Sequence, residues 1–229
     1  MEESCFRHIM RRYKYILFDL DGTVSNSCEG ITRCAKYALS KLGIEEEDFD
    51  NLKKFIGPPL IESFINNYGM DEDTAKEAVK LYRQLYTTEG IYQCHKYEGI
   101  EELIDKCIYS DYQVALATSK PQKMAETVVE HLGLTDRFNI IVGADINKPK
   151  ENKASVIERT LEELGVEDKS ECIMIGDTYF DAVGAKSAGI DMLGVSFGFG
   201  DRDSLLKNGA IKVVDTPMAV FEFIERMKK

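Results

Sequence analysis

The sequence predicts an α/β fold in which helices cover both faces of a parallel sheet and one all-helical segment is inserted. Short apolar runs recur along the chain, helical patterns alternate with them, and one long stretch after the first run shows only helical spacing. The chain has 229 residues, of which 44% are hydrophobic. This length and composition are sufficient for a sizeable buried core.

Six short apolar runs are the predicted strands. They cover residues 15–18, 114–117, 140–142, 172–175, 192–195 and 212–214. Continuous apolar runs are typical of strands that are buried on both faces, as in a parallel sheet covered by helices.

Helical patterns lie between most of these runs. Apolar residues at helical spacing predict helices over 101–109, 123–132, 154–164 and 181–188. Gly165 and Gly189 follow the last two patterns and mark where those helices stop. Since a helix between consecutive strands allows them to run in the same direction, the sheet should be parallel.

One stretch, residues 24–93, contains no convincing strand. Helical patterns over 31–42 and 73–85 are separated by Ile-Gly-Pro-Pro-Leu at 56–60, where proline cannot continue a preceding helix. The stretch is too long and too regularly patterned for a loop. We therefore expect a core domain of residues 1–23 and 94–229, with a helical domain of residues 24–93 inserted after the first strand.

Charge and cysteine usage exclude several function classes. The net charge of −11 disfavours nucleic acid and anionic membranes as partners, because an acidic surface repels both. The six cysteines form no Cys-x-x-Cys pair, so we expect reduced thiols and no structural zinc. No apolar run approaches the roughly 18 residues that cross a membrane. A cytoplasmic location is the resulting expectation.

Polar residues follow four of the predicted strands. They are Asp19 with Asp21, Thr118 with Ser119, Asp145, and Asp177. In an open parallel sheet, ligands bind beyond the carboxyl ends of the strands. The four polar endings therefore predict one common site.

The segment Asp19-Leu20-Asp21-Gly22-Thr23 places two carboxylates on the same side of an extended chain. One carboxylate could attack phosphorus while the other handles the proton of the leaving group. A plain Asp-Gly turn after a strand would explain the same residues.

A second acidic segment, Gly176-Asp177-Thr178-Tyr179-Phe180-Asp181, follows another strand. Mg²⁺ prefers a few hard oxygen ligands, which Asp19, Asp177 and a backbone carbonyl near Asp21 could supply. Asp181 begins the next helix, where it either supports this site or caps the helix.

Hydroxyl and ammonium groups could bind the anion. Thr118 and Ser119 either donate to a phosphate oxygen or cap the helix that begins near Pro121, and we expect Lys120 on the solvated surface. An anionic substrate also requires local positive charge. Lys153, just before a predicted helix, could act with the N–H groups of that helix, and Lys148 is the alternative. Lys150 is the third lysine of this segment.

Together, Asp-Leu-Asp-Gly-Thr, Thr118, a downstream lysine and Gly-Asp-x-x-x-Asp resemble the haloacid dehalogenase superfamily over essentially the whole chain. Phe-Ile-Gly-Pro-Pro-Leu at 55–60 is similar to a cap segment of the phosphoglycolate-phosphatase-like branch. The resemblance implies a Rossmann-like three-layer core and a helical cap domain.

The resemblance also implies roles. Asp19 would be the nucleophile that forms an aspartyl-phosphate, and Asp21 the general acid and then the general base. The phosphate would be bound by Thr118 and Lys153, with Gly22 and Ser119 beside it. The Mg²⁺ ligands would be Asp19, the carbonyl of Asp21 and Asp177, with Asp181 in support. The sequence Lys148-Pro149-Lys150-Glu151 departs from the Lys-Pro-x-Pro context of many relatives.

The implied activity is that of a magnesium-dependent phosphatase acting on a small phosphorylated metabolite. Phosphoglycolate is the first expected substrate, and a nucleotidase, a sugar-phosphate phosphatase or a phosphomutase are alternatives. A dehalogenase would not need Asp21, and a phosphonate hydrolase would need one of Lys36, Lys41, Lys53 and Lys54 as an amine. A binding module without activity would not need the full set of carboxylates, Thr118 and lysine. A monomer is expected, with a dimer left open.

Overall fold

The structure is a computed structural model that describes residues 13–148 and 151–227. These residues form two compact units, one of residues 13–24 with 96–227 and one of residues 25–95. The expected domain boundaries, at 24 and 93, lie close to these limits. That the second unit acts as a cap stays a prediction.

Eight strands are formed by the described residues. They are β1 (Tyr15–Phe18), β2 (Ser25–Asn26), β3 (His95–Lys96), β4 (Gln113–Pro121), β5 (Ile140–Ala144), β6 (Cys172–Gly176), β7 (Asp191–Val195) and β8 (Lys212–Val214). Six of them form a sheet in the order β5-β4-β1-β6-β7-β8, and every adjacent pair is parallel. The six predicted strands and the predicted parallel α/β architecture are confirmed.

The apolar runs place β1 at the centre of this sheet. Leu17 pairs with Ala115 of β4 and Met174 of β6, and all three lie in one core cluster with residues of three helices. Ile16 and Phe18 point to the opposite face and are also fully buried, so both faces of β1 are covered. Burial of each such large apolar side chain contributes about 1.5–3 kcal/mol, which fixes the sheet around β1.

Helices connect the strands. They are α1 (Cys28–Lys41), α2 (Phe49–Lys53), α3 (Leu60–Tyr68), α4 (Glu72–Tyr86), α5 (Ile100–Tyr109), α6 (Gln122–His131), α7 (Lys153–Glu163), α8 (Tyr179–Ala188), α9 (Arg202–Asn208) and α10 (Pro217–Arg226). The four helices predicted between strands are confirmed as α5 to α8, each beginning one or two residues earlier than predicted. None of the helices in the described part of the chain is long and apolar enough to cross a membrane.

The helical unit of residues 25–95 contains α1 to α4. The patterns over 31–42 and 73–85 are found as α1 and α4, which pack on each other. The sequence did not predict α3, because the two prolines at 58 and 59 were taken only as a break. Proline is also tolerated at the beginning of a helix, and α3 starts directly after Pro59.

Strand β4 is longer than its apolar run. It continues through Thr118, Ser119 and Lys120 to Pro121, with a shift of register against β5 after Ala117. Thr118 and Lys120 are buried, whereas Ser119 between them is partly exposed. This alternation places Thr118 and Lys120 on one side of the extended chain.

The two ends of the helical insertion are adjacent. The peptide N–H of Tyr97 donates to the carbonyl of Val24 over 3.3 Å. Strands β2 and β3 pair with each other just beyond these residues.

Candidate active site

Three carboxylates meet at the carboxyl ends of the central strands. Asp19 follows β1 and Asp177 follows β6, and the N–H of Asp19 donates to the carbonyl of Ile175 at 2.9 Å. Carboxylate oxygens of Asp19, Asp177 and Asp181 lie within 4.8 Å of one another, and all three residues are buried. Adjacent central strands thus bring these predicted residues together.

Lys153 lies between two of these carboxylates. Its Nζ is 2.5 Å from Oδ1 of Asp19 and 2.7 Å from Oδ1 of Asp181. The side chain of Asn152 caps α7, so Lys153 is the first residue of that helix. Lys148 is exposed, and Lys150 lies outside the described residues. The structure therefore places Lys153, and not Lys148, beside the acidic cluster.

The acidic cluster shifts the pKa values of its members. Burial raises the pKa of Asp19 to about 6, although the charge of Lys153 opposes the shift. Burial, followed by the charges of Asp181 and Asp19, raises the pKa of Asp177 well above its ordinary value. Burial disfavours the ammonium of Lys153, but the charges of Asp181 and Asp19 outweigh burial and raise its pKa.

The charge of this group suits a divalent cation. Three buried carboxylates face one ammonium, which leaves two negative charges uncompensated within this group when all are ionised. Uncompensated buried charge is costly, and carboxylate oxygens are the ligands that Mg²⁺ prefers. The donor set of Asp19, Asp177 and Asp181 therefore fits a hard divalent ion.

Asp177 is held by two donors that the sequence analysis did not find. The hydroxyl of Thr23 donates to Oδ1 over 3.2 Å, and the N–H of Phe199 donates to Oδ2 over 2.8 Å. Thr23 lies within the predicted Asp-Leu-Asp-Gly-Thr segment and could have been found there. The N–H of Phe199 carries no sequence signal, because any residue except proline provides it.

Gly22 makes the close approach of Asp177 possible. Its φ is +87°, and a Cβ at this position would lie 2.1 Å from Oδ2 of Asp177. Glycine is the residue that tolerates both the positive φ and the contact. The structure thus places Gly22 beside Asp177, and its expected position beside the phosphate stays a prediction.

We expect Gly22→Ala to lower the free energy of unfolding by about 1–3 kcal/mol more than Gly165→Ala does. Gly165 also has a positive φ, of +65°, but a Cβ there meets nothing within 4 Å. The difference between the two variants in urea unfolding isolates the contact with Asp177. Equal losses would contradict this account of Gly22.

Asp181 uses its two oxygens for different purposes. Oδ2 accepts from the N–H and the hydroxyl of Thr178, at 3.0 and 2.9 Å, which caps the start of α8. Oδ1 faces Lys153 within the acidic cluster. Helix capping and support of the cluster, which the sequence left as alternatives, are thus combined in one carboxylate.

The carboxylate of Asp21 points to a different lysine. Its Oδ2 is 2.7 Å from Nζ of Lys120, and the side chain of Lys120 is only 6% exposed. The expectation that Lys120 lies on the solvated surface is wrong, because β4 continues past Ala117 and turns Lys120 to the buried side. Two-residue alternation along an extended strand puts Lys120 on the same side as Thr118, and this spacing was the signal that could have identified Lys120 as buried.

Thr118 is buried and accepts from the N–H of Lys120 over 3.2 Å, whereas Ser119 is partly exposed. Helix α6 has Pro121 at its N-cap, with no side-chain hydrogen bond at that cap. The alternative role of Thr118 and Ser119 as helix caps is therefore not observed. Their expected contact with phosphate stays a prediction.

Asp145, at the fourth strand end, lies outside the acidic cluster. Its carboxylate accepts from the N–H of Asn147 at 2.9 Å, and this bond lowers its pKa. Its own N–H donates to Glu151, which also pairs with Arg159 of α7 at 2.6 Å. Asp145 is thus part of the connection between β5 and α7.

In the helical unit, lysines engage nearby polar groups. Lys36 pairs with Glu47 at 2.8 Å, and Lys53 with Asp50 at 2.9 Å. Arg33 pairs with Glu89 and lines a cavity of about 530 Å³ within this unit. These contacts are those of solvated helix charges, as the sequence suggested for the lysines.

Comparison with known proteins establishes the family. The family model described as haloacid dehalogenase-like hydrolase matches residues 16–195, which include all three carboxylates of the cluster and Lys153. The chain belongs to this family. The predicted superfamily and its branch similar to phosphoglycolate phosphatases are thereby confirmed.

Relatives of this haloacid dehalogenase-like hydrolase include proteins with named activities. A 5′-nucleotidase of Pseudomonas aeruginosa is 39% identical over 194 residues, covering 85% of this chain and 87% of the relative. A phosphoglycolate phosphatase of Vibrio parahaemolyticus is 25% identical over 219 residues, covering 92% and 96%. The crystal structure of a predicted phosphatase from Clostridium acetobutylicum has a TM-score of 0.87 and 37% identity, covering 94% of this chain and 98% of that chain.

Proposed function

We propose that this haloacid dehalogenase-like hydrolase is a magnesium-dependent phosphatase that hydrolyses a small phosphomonoester through an aspartyl-phosphate on Asp19. The observation that carries the proposal is the position of Asp19, buried beside Lys153 in a cluster of three carboxylates. Relatives named as a 5′-nucleotidase and a phosphoglycolate phosphatase support it.

The first step transfers the phosphoryl group to the protein. An oxygen of Asp19 forms a bond to phosphorus while the ester P–O bond breaks, and the departing oxygen takes a proton from Asp21. Lys153 and Thr118 stabilise the negative charge on the phosphoryl oxygens. When bound by Asp19, Asp177 and the carbonyl of Asp21, with Asp181 in support, Mg²⁺ supplies positive charge that lets an anionic substrate approach Asp19.

The second step returns Asp19 to its initial state. Asp21, now a carboxylate, takes a proton from water, and the water oxygen forms a bond to phosphorus. The bond between phosphorus and Asp19 breaks, which releases inorganic phosphate and leaves Asp21 protonated again. Both steps need one oxygen of Asp21 to be accessible to a proton.

A nucleoside 5′-monophosphate is the first substrate to test. The relative named as a 5′-nucleotidase is 39% identical to this chain, whereas the phosphoglycolate phosphatase is 25% identical. Phosphoglycolate, the first choice from sequence, therefore becomes the second, and a sugar phosphate is the third. The proposal keeps residues 24–93 as a cap domain, a cytoplasmic location, and a monomer with a dimer left open.

The test is phosphate release from nucleoside monophosphates, phosphoglycolate, sugar phosphates and a generic aryl phosphate, each with Mg²⁺ and with a chelator. Turnover that requires Mg²⁺ and is concentrated on one compound supports the proposal and identifies the substrate class. Absence of turnover on every compound by folded protein contradicts a phosphatase and favours a phosphomutase.

We expect Asp177→Asn to raise the Mg²⁺ concentration for half-maximal activity by about 10- to 100-fold, because the variant loses an anionic metal ligand. A Mg²⁺ titration of phosphate release measures the shift. Asp145→Asn is the matched control, since Asp145 also follows a strand but lies outside the cluster. An unchanged titration for Asp177→Asn would remove this residue from the metal site.

A further inference from the structure

We propose that Lys120 is a positioning residue for proton transfer by Asp21, an inference that rests on the proposed phosphatase function. Its ammonium holds one oxygen of the Asp21 carboxylate and thereby fixes the other oxygen for the proton of the leaving group. The distance between Nζ and Oδ2 is 2.7 Å, and the side chains of Lys120 and Asp21 are 6% and 13% exposed.

The two oxygens of Asp21 have different surroundings. Oδ2 pairs with Lys120, whereas Oδ1 is buried and has no hydrogen-bond partner among the described residues. A buried acceptor without a partner costs about 1–3 kcal/mol. This cost is reasonable for an atom that receives a partner only during the reaction. In the proposed mechanism, Oδ1 is the atom that gives and then takes the proton.

A carboxylate with two free oxygens would not be well placed for this task. Rotation about the bond to the carboxylate is broad, so an unrestrained Asp21 would sample many orientations. Proton transfer requires a donor and acceptor within about 2.6–3.2 Å of each other. The ion pair with Lys120 restricts this rotation and keeps Oδ1 as the available oxygen.

The position of Lys120 in the sheet supports the same role. Lys120 follows Thr118 on the buried side of β4, and its N–H donates to the Thr118 hydroxyl over 3.2 Å. Because β4 and β1 are adjacent, the ion pair connects Thr118 and Asp21 across neighbouring strands. The two lysines thus have separate partners: Lys153 faces Asp19, and Lys120 faces Asp21.

The test compares wild-type protein with Lys120→Met on phosphomonoesters whose leaving groups range from weakly basic phenols to alcohols. The value of kcat/KM reports only the steps up to departure of the leaving group. Alcohols need a proton from Asp21 as they depart, whereas weakly basic phenolates do not. We expect kcat/KM to fall about 100-fold for alkyl phosphates and to change little for the most activated aryl phosphate.

Two further variants make the result specific. Lys120→Arg keeps the charge and should restore part of the loss on alkyl phosphates. Lys123→Met removes an exposed lysine of α6 and should leave the whole series unchanged. Inhibition by inorganic phosphate should be the same in Lys120→Met as in wild-type protein, because Lys120 is assigned to Asp21 and not to the phosphoryl group.

A uniform loss of kcat/KM across the series would overturn the inference, whether it arises from altered folding or from phosphate binding. Weaker inhibition by phosphate in Lys120→Met would also overturn it and assign Lys120 to the phosphoryl group. These outcomes leave the proposed phosphatase function intact. If the wild-type protein releases no phosphate even from the activated aryl ester, the proposed function itself fails.

Discussion

Asp19→Asn should lower kcat/KM for phosphate release by about 10⁴-fold or more, because an uncharged amide cannot replace a carboxylate as the nucleophile. The variant should remain folded, since asparagine has nearly the same shape. Its stability without added metal should equal or exceed that of wild-type protein. Burial raises the pKa of Asp19 to about 6, which means that the ionised carboxylate is disfavoured there, and asparagine carries no charge. Phosphate release and urea unfolding measure the two effects.

The Asp19→Asn experiment has an independent readout. Mass spectrometry of the acid-quenched wild-type protein during turnover should show phosphate on the peptide that contains Asp19, and the variant should show none. Asp145→Asn, which changes another aspartate directly after a strand, should keep activity and phosphorylation. Activity retained by Asp19→Asn would assign the nucleophile to another residue.

Lys153→Met is expected to have the second-largest effect. Loss of one preorganised positive group at a phosphoryl site should lower kcat/KM by about 10²–10³-fold. The variant also leaves Asp19 and Asp181 without their buried partner, which should cost about 3–5 kcal/mol of stability in metal-free protein. Added Mg²⁺ should recover part of this loss of stability, because it neutralises negative charge on the same carboxylates.

Lys148→Met is the matched control for Lys153→Met. Lys148 belongs to the same segment after β5 but is exposed, so its replacement should change stability by no more than about 0.5 kcal/mol. Activity should remain near that of wild-type protein. A larger loss of activity in Lys148→Met than in Lys153→Met would transfer the role of phosphate lysine to Lys148.

The sheet was predictable because its strands are buried on both faces and their apolar runs are therefore continuous. The acidic cluster could be predicted from the same apolar runs, because Asp19 and Asp177 come directly after strands β1 and β6, which are neighbours in the sheet. The sequence favoured Lys153, because it precedes a predicted helix, but left Lys148 as an alternative. The selection of Lys153 depends on the capped start of α7, which directs its side chain to Asp19.

Contacts that depend on distant parts of the chain were not predictable. The end of β4 was placed where apolar residues stop, at Ala117, although the strand continues through polar residues and pairs with β5 again at Pro121 after a shift of register. This error placed Lys120 on the surface. The N–H of Phe199 reaches Asp177 only through the path of the loop after β7, which no local pattern specifies.

The hydrogen bond between Tyr97 and Val24 has a consequence for how the sequence can diversify. This bond joins the residues that flank the inserted segment, so changing the length of that segment adds little loop-closure entropy to the folding of the host. All six strands of the large sheet, as well as Asp19, Asp177, Asp181 and Lys153, lie outside residues 25–95. The inserted segment can therefore change in length or be replaced by another segment while the reactive groups keep their positions.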